Sequence, residues 1–270
     1  MRTAENVRHE RNVDFYSDRR VVEHYADVDS QLMAPEETLF DAYLRDGMDI
    51  LDLGVGAGRT TPHLSELAGR YAALDVAEPM IEACRERFPD LDFHVADAAD
   101  LSAFDDGSFD AVVFSFNGID YLPSAERRQR CLAECHRVLR EKGVLIIARH
   151  NPRAVLAVPS MAGRSAVRRV RACLSVPLWA LRRSVRMVPT RAFWAGQGAI
   201  AEPSAGFNGP LLRRGDPGQK PLVTEMATPR KVARELSGAG FDVVRTTGGV
   251  RTGRTWVAST SWYHYVATRA

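Results

Sequence analysis

Leu51-Asp52-Leu53-Gly54-Val55-Gly56-Ala57-Gly58-Arg59 is the stretch that decides the fold of this 270-residue chain. The apolar residues 48–53 predict a buried strand, the three alternating glycines predict a tight turn, and residues 59–68 predict a helix. In a strand–glycine–helix unit, backbone N–H groups and the helix N-terminus approach a ligand closely. Asp75, about 20 residues further on, is placed to accept hydrogen bonds from ribose hydroxyls. The unit therefore predicts a nucleoside-containing ligand.

The same stretch lacks two better-known nucleotide signatures. The dinucleotide fingerprint Gly-x-Gly-x-x-Gly would need its third glycine where Arg59 stands. A phosphate-binding loop would need Gly-Lys-Ser or Gly-Lys-Thr, which is also missing here. Neither NAD nor ATP is therefore the first choice of ligand.

Short apolar runs alternate with amphipathic segments along most of the chain. Helices are predicted at residues 13–25, 35–47, 80–88, 124–140 and 229–237. Strands are predicted at residues 71–75, 91–97, 109–116, 143–148, 241–245 and 256–268, in addition to 48–53. Such alternation favours a parallel sheet with right-handed crossovers and helices on both faces, so the predicted class is α/β.

The composition excludes disordered, collagen-like and coiled-coil classes, since 45% of residues are hydrophobic and 26% are charged. No signal-peptide segment opens the sequence, and no apolar run reaches the roughly 18 residues of a membrane span. The four scattered cysteines are expected to be thiols in a reducing compartment, which favours a cytoplasmic protein. Cys131, Cys135 and His136 fall inside one predicted helix with no second cluster to complete a tetrahedral site, so no metal site is predicted.

In its ordered motifs the sequence resembles the class I S-adenosylmethionine-dependent methyltransferases. The resemblance is carried by the glycine stretch quoted above, by Asp75, and by two further segments at residues 95–101 and 109–112. It covers residues 48–150 closely and the terminal strands loosely. The resemblance implies a Rossmann-like seven-stranded sheet of order 3-2-1-4-5-7-6 with the last strand antiparallel. It also implies S-adenosyl-L-methionine as cofactor and S-adenosyl-L-homocysteine as product.

Carried over residue by residue, the resemblance assigns a cofactor site at the carboxyl ends of the first strands. Asp75 would bind both ribose hydroxyls, and Asp97 with the Ala98 backbone would hold the adenine edge. Val76 and Met80 would pack on the adenine faces. The remaining assigned residues line the methionine moiety or the end of the fourth strand: Asp52, Gly54, Gly56, Gly58 and Phe116.

The methyl acceptor is expected near the ends of the fourth and fifth strands. His150 is the best-placed general base, which a hydroxyl acceptor would need. Asp120 and Tyr121 are alternative substrate contacts, although residues 120–123 could equally form a turn that enters a helix. The Asn/Asp-Pro-Pro-Tyr/Phe motif that is typical of methylation at amide or base nitrogens is absent, because Asn117-Gly118-Ile119-Asp120 occupies its place. This disfavours DNA adenine and glutamine as acceptors.

Charge changes sharply along the chain. Residues 1–150 hold 17 lysines and arginines against 29 acidic residues, whereas residues 151–270 hold 19 against 5. We therefore expect four regions: an N-terminal helical cap (1–47), an S-adenosylmethionine-binding core (48–151), an arginine-rich helical lid insertion (152–221), and a C-terminal helix and strands that complete the core (222–270).

The insertion leaves several partners open. Residues 164–188 combine seven arginines with apolar residues, which indicates a helical lid with a solvated basic face. The same pattern is typical of peripheral contact with an anionic membrane or of attraction for an anionic acceptor. Nucleic acid ranks last because no RNA-binding module is recognisable.

The sequence thus predicts an enzyme that methylates a small-molecule O- or N-acceptor, in specialised or cell-envelope biosynthesis. The alternatives are a noncatalytic cofactor-binding partner or sensor protein, and a methyltransferase that acts on a membrane-associated or RNA substrate through the basic insertion. No feature of the sequence indicates an oligomeric state.

Overall fold

The computed structural model describes residues 3–27, 31–151, 209–213, 222–248 and 262–270. Its main element is a seven-stranded sheet made of β1 (Met48–Leu53), β2 (Ala68–Asp75), β3 (Asp92–Val95), β4 (Phe109–Phe114), β5 (Leu139–His150), β8 (Phe241–Thr247) and β9 (Trp262–Arg269). A separate antiparallel pair consists of β6 (Gly209–Arg213) and β7 (Leu222–Met226).

The strand order in the large sheet is β3-β2-β1-β4-β5-β9-β8. When only the strands of this sheet are numbered along the chain, the order is 3-2-1-4-5-7-6. The strand β9 is antiparallel to both of its neighbours, whereas the pairs among β1 to β5 are parallel. The predicted sheet is therefore confirmed, including its antiparallel last strand.

Helices cover both faces of the sheet. They are α1 (Ala4–Tyr16), α2 (Arg19–Asp27), α3 (Ala34–Tyr43), α4 (Thr61–Leu67), α5 (Glu78–Arg87), α6 (Ala125–Val138) and α7 (Pro229–Gly238), with a short 3-10 helix at Gly118–Tyr121. The helices α6 and α7 contribute to one hydrophobic core, and α3, α4 and α5 contribute to the other. None of the helices in these described ranges is long and apolar enough to cross a bilayer.

The two cores explain why the central strands are mostly apolar on both faces. In β1, Leu51 and Leu53 belong to one core and Ile50 belongs to the other, because successive side chains of a strand point to opposite faces. A strand that is buried on both faces shows no alternation of polar and apolar residues. This arrangement places the carboxyl ends of β1, β2 and β4 side by side at one edge of the sheet.

The N-terminal helices differ from the sequence prediction. The single helix predicted at residues 13–25 is wrong, because the chain breaks between α1 and α2 at Ser17 and Asp18. The Ser17 N–H still donates to the Val13 carbonyl, whereas Asp18 begins a new helix and its carboxylate accepts from the Arg20 N–H at 2.9 Å. An aspartate that caps a helix in this way competes with continuation of the preceding helix.

The insertion also departs from its prediction where it is described. The helical insertion expected at residues 152–221 contains a strand where it is described, because β6 pairs with β7 across the expected boundary at residue 222. A five-residue strand that begins Gly-Pro carries little strand signal in sequence. The arginine-rich residues 164–188 and the predicted lid helices lie outside the described residues.

Candidate functional site

A cavity opens where β1, β2 and β4 end. Its empty volume, with the open mouth included, is about 830 Å³. Most of the predicted cofactor residues line it, together with Tyr121: Gly54, Gly56, Asp75, Val76, Met80, Asp97, Ala98 and Phe116. The structure therefore brings together at one cavity residues that are spread over nearly 70 positions of the sequence.

The glycine loop allows close approach to the cavity. Gly54 and Gly56 have φ of +61° and +57°, a region that non-glycine residues rarely adopt. A Cβ atom on Gly54 would lie 2.7 Å from the Phe114 ring, so a larger residue would displace that ring. The backbone N–H of Gly56 donates to Asp75 Oδ2 at 3.0 Å, which ties the loop to the end of β2.

Both carboxylate oxygens of Asp75 are held by backbone N–H groups. Oδ1 accepts from Ala77 at 2.9 Å, and Oδ2 accepts from Gly56. Burial raises the pKa of Asp75, and these hydrogen bonds act against that rise. The carboxylate is therefore fixed in orientation, and its remaining lone pairs can accept from two neighbouring hydroxyl groups of a ribose.

The predicted adenine end of the cavity is linked to the N-terminal helix. Asp97 Oδ1 accepts from the Ala99 N–H at 2.8 Å, and Oδ2 pairs with Arg127 at 3.2 Å. Arg127 also reaches Glu5 of α1 at 3.5 Å. Met80 is fully buried and packs in a small cluster with Val21 of α2.

Two predicted cofactor residues, Asp52 and Gly58, lie behind the loop and do not line the cavity. Asp52 accepts hydrogen bonds from Thr60 Oγ1 at 2.5 Å and from the Tyr71 hydroxyl at 3.1 Å. Gly58 has φ of +87°, and a Cβ atom there would lie 2.8 Å from Phe88. Both residues shape the loop from the protein interior, so any contribution that they make to cofactor binding passes through the loop.

The burial of Asp52 predicts a pH-dependent effect of its replacement. Burial raises the pKa of Asp52 to about 7, against the Thr60 and Tyr71 hydrogen bonds. The folded state therefore binds more protons than the unfolded state between about pH 4 and pH 7, and stability falls as pH rises through this window. The Asp52→Asn variant stays neutral, so its stability relative to wild type should rise between pH 5 and pH 8 by on the order of 2 kcal/mol.

Urea unfolding of wild type and Asp52→Asn at pH 5, 6.5 and 8 measures this difference. The exposed Asp90 provides the matched control as Asp90→Asn, whose difference from wild type should change far less over the same range. A constant difference between Asp52→Asn and wild type across the three pH values would contradict the expectation.

The end of β4 is conformationally strained. Phe116 and Asn117 both adopt left-handed backbone conformations, with φ of 56° and 63°. Consecutive non-glycine residues in this region cost free energy and are concentrated at functional sites. Phe116 remains 38% exposed, lies edge-on to Trp262 at 4.9 Å and carries the Arg59 guanidinium 4.9 Å above its ring.

Of the three predicted catalytic residues, only Tyr121 lines the cavity. Asp120 is fully buried and accepts from Arg149 Nε, from the backbone N–H of His150 at 2.6 Å and from His150 Nδ1 at 2.9 Å. Burial would raise the pKa of Asp120, but Arg149 and His150 lower it below its usual value. The prediction that Asp120 contacts the substrate is therefore replaced by a role as the buried partner of Arg149 and His150.

His150 is 9% exposed at its side chain and lies just behind the cavity wall. Its ring centre is 6.0 Å from that of Tyr121 and 6.4 Å from that of Trp262. The Thr224 hydroxyl of β7 also approaches Nδ1 at 3.2 Å. With Nδ1 directed to Asp120, Nε2 is the ring nitrogen left for a proton of an acceptor.

Sequence reasoning missed the contribution of the N-terminal helices to the cavity wall. His9, Asn12, Val13 and Tyr16 all line the cavity, together with Tyr25 of α2. Positions 9, 12, 13 and 16 have the spacing of one helix face, which was the available signal. The first predicted helix begins at residue 13, so it leaves out both His9 and Asn12, which lie in α1.

Comparison with known proteins agrees with this geometry. Residues 51–147 match the methyltransferase domain family. Demethylmenaquinone methyltransferase of Thermotoga maritima is 39% identical over 105 residues, which are 36% of this chain and 42% of that protein. The dTDP-3-amino-3,4,6-trideoxy-alpha-D-glucopyranose N,N-dimethyltransferase of Streptomyces venezuelae is 30% identical over 98 residues, which are 36% of this chain and 40% of that protein. The chain thus spans well under half the length of these curated relatives.

Solved structures share the fold over nearly the whole chain. The CcbJ methyltransferase of Streptomyces caelestis superposes with a TM-score of 0.60 at 17% identity, covering 95% of this chain and 98% of that one. The 1,6-didemethyltoxoflavin-N1-methyltransferase of Burkholderia thailandensis, solved with S-adenosylhomocysteine, gives a TM-score of 0.57 at 18% identity and covers 98% and 87%. The matched domain, the sheet order and the glycine loop with Asp75 all indicate the same methyltransferase fold. Residues 51–147 thus match the methyltransferase domain family, and the described fold is the one seen in solved S-adenosylmethionine-dependent methyltransferases.

Proposed function

We propose that the chain transfers a methyl group from S-adenosylmethionine to a small-molecule O- or N-acceptor. The observation that carries this proposal is a single cavity that joins the residues predicted to hold the cofactor with an aromatic end. Gly54, Gly56, Asp75 and Phe116 are among the predicted cofactor residues, and Tyr121 lies at the aromatic end. A cofactor bound along the first part leaves the second part for an acceptor.

The residues present fit S-adenosylmethionine. Gly54 and Gly56 present no side chain to the cavity, Asp75 is held by backbone N–H groups at the position expected for the ribose, and Asp97 lies where the adenine edge is expected. When bound, the cofactor supplies an electrophilic methyl group on a sulfonium. The contribution of the protein is to align an acceptor with that methyl, and proximity and orientation alone can contribute on the order of 7–11 kcal/mol.

We further propose His150 as the general base for a hydroxyl acceptor. The buried Asp120 carboxylate fixes the ring through Nδ1 and would stabilise the imidazolium that forms when Nε2 takes the proton. This role requires the acceptor to reach between Tyr121 and Trp262, the two rings that flank the imidazole. An amine that is already neutral needs only positioning and no base.

The His150→Ala variant tests the base. With a hydroxyl acceptor, its methyl-transfer rate should fall by roughly 10²–10⁴ while S-adenosylhomocysteine affinity stays within error. Rates with methyl-labelled cofactor and binding by calorimetry measure the two quantities separately. A fall below about tenfold would remove His150 as the base and favour transfer by proximity.

The relatives act on different small molecules, as the names of a demethylmenaquinone and an amino-sugar nucleotide methyltransferase state. For this chain the acceptor, the specialised or cell-envelope setting and the cytoplasmic location therefore stay proposals. Attraction for an anionic acceptor, membrane contact or RNA through the basic insertion also stay proposals, because residues 164–188 lie outside the described part. We propose no oligomeric state.

Incubation of the purified chain with methyl-labelled S-adenosylmethionine and panels of phenols, alcohols and amines tests the proposed activity. Transfer of label to any panel member supports an enzyme. Tight S-adenosylhomocysteine binding without transfer to any compound, including small-molecule extracts, would favour the alternative of a noncatalytic cofactor-binding partner or sensor.

A further inference from the structure

The helix α1 runs lengthwise along the cavity. Near its first turn, Glu5 contacts Arg127, which pairs with Asp97 at the predicted adenine end. At its last turn, Tyr16 packs edge-on against Tyr25 at 6.1 Å, and the Tyr25 ring lies beside Gly56 of the glycine loop. The two ends of the helix therefore mark the two ends of the expected cofactor.

His9 follows Glu5 by one helical turn on the same face of α1. Four residues of an α-helix rise about 6 Å, which places His9 nearer to Glu5 and the adenine end than to Tyr16 and the glycine loop. Leu122, Pro123 and Ala98 line the same cavity as His9. The position of His9 along α1 thus points to the base moiety of the cofactor.

The backbone of His9 is held firmly on both sides. The preceding Arg8, 1% exposed, donates to the carbonyls of Pro123 at 3.2 Å and Asp120 at 3.0 Å. Asn12 Nδ2, three residues later, donates to the Tyr121 carbonyl at 2.5 Å. His9 itself is half-buried at the cavity wall.

We propose that the His9 ring packs on the adenine of the bound cofactor, an assignment that rests on the proposed function. An aromatic ring packed on a nucleobase contributes through stacking and needs no hydrogen bond from the ring nitrogens. Val76 and Met80 line the cavity after the end of β2 and in α5, and His9 would add a contact from the helical cap. The N-terminal helical cap would then contact the cofactor directly, in addition to covering the cavity.

Calorimetry with S-adenosylhomocysteine and with 5′-methylthioadenosine tests the assignment, because the second ligand keeps the adenosine half and lacks the amino acid half. The His9→Ala variant should lose about tenfold in affinity, or about 1.4 kcal/mol, for both ligands alike. The His9→Phe variant keeps a ring and should stay within about threefold of wild type. The matched control is Asn6→Ala, an exposed position on the same helix, which should bind both ligands like wild type.

Three results would overturn the proposal: unchanged affinity of His9→Ala for both ligands, a loss confined to S-adenosylhomocysteine, or an equal loss in His9→Phe. A loss confined to S-adenosylhomocysteine would place His9 at the amino acid half. Urea unfolding of each variant shows whether a lost affinity reflects a lost fold, and the ring-retaining His9→Phe variant then decides. If wild type itself binds neither ligand, the proposed function fails, whereas wild-type binding with an unaffected His9→Ala variant overturns this inference alone.

Discussion

Replacement of Asp75 by alanine is expected to reduce S-adenosylhomocysteine affinity by on the order of 100-fold or more, because hydrogen bonds to a charged acceptor contribute about 1.5–3 kcal/mol each. Two ribose hydroxyls would lose that acceptor at once. The variant also removes the carboxylate that holds the Gly56 N–H at 3.0 Å, so the glycine loop loses one of its anchors. Calorimetry on wild type and Asp75→Ala measures the change.

The control for this experiment is Asp90→Ala, an exposed aspartate at the end of the loop before β3. It should bind S-adenosylhomocysteine like wild type, since its side chain does not line the cavity. Equal affinity of Asp75→Ala and wild type would show that the ribose does not bind at β2, and the proposed cofactor orientation would then be wrong.

Replacement of Asp120 by leucine is expected to destabilise the fold by about 3–5 kcal/mol, which is the typical cost of leaving a buried charge without its partner. Arg149 has no exposed surface, and among the described residues it would retain Glu235, at 2.9 Å, as its ionic partner. The backbone N–H and Nδ1 of His150 would lose their shared acceptor as well. The free energy of unfolding in urea measures the loss.

A double variant separates the cost of an unpaired Arg149 charge from the other effects of replacing Asp120. Adding Arg149→Met to Asp120→Leu removes the unpaired charge and should restore about 1–3 kcal/mol. The control is Asp106→Ala, which also removes a carboxylate from an arginine but at a position that is 79% exposed, so it should cost at most about 1 kcal/mol. If Asp120→Leu cost no more than Asp106→Ala, Arg149 would not depend on Asp120 for its charge compensation.

The sequence was sufficient for the sheet and for most of the residues that line the proposed cofactor end of the cavity. Apolar runs that end in Asp75 and Asp97 mark strand ends, and parallel strands that follow one another must deliver those ends to a common edge. Gly54 and Gly56 are informative on their own, because positive φ is cheap only for glycine. Sequence patterns within a few residues were enough here, because each of these residues directly follows or ends the strand that positions it.

The proposed acceptor end could not be predicted in the same way. The contacts of Asp120 with Arg149 and of Arg8 with Asp120 join residues 29 and 112 positions apart. No periodicity or spacing reports such a pairing, so Asp120 was interpreted as an open substrate contact when it is an interior anion. For His150, the sequence predicted correctly that the residue ends a strand. It gave no sign that the side chain is almost completely buried.

The manner in which α1 docks has a consequence for how this chain can diversify. Arg8 and Asn12 attach the helix to the carbonyl oxygens of residues 120, 121 and 123, and backbone carbonyls are present whatever side chain stands there. Tyr121 and Leu122 can therefore be exchanged without loss of these main-chain contacts, while both side chains line the cavity. The side chains that face a ligand are thus independent of the hydrogen bonds that hold α1 in place. New ligand preferences can evolve at these side chains while the fold is retained.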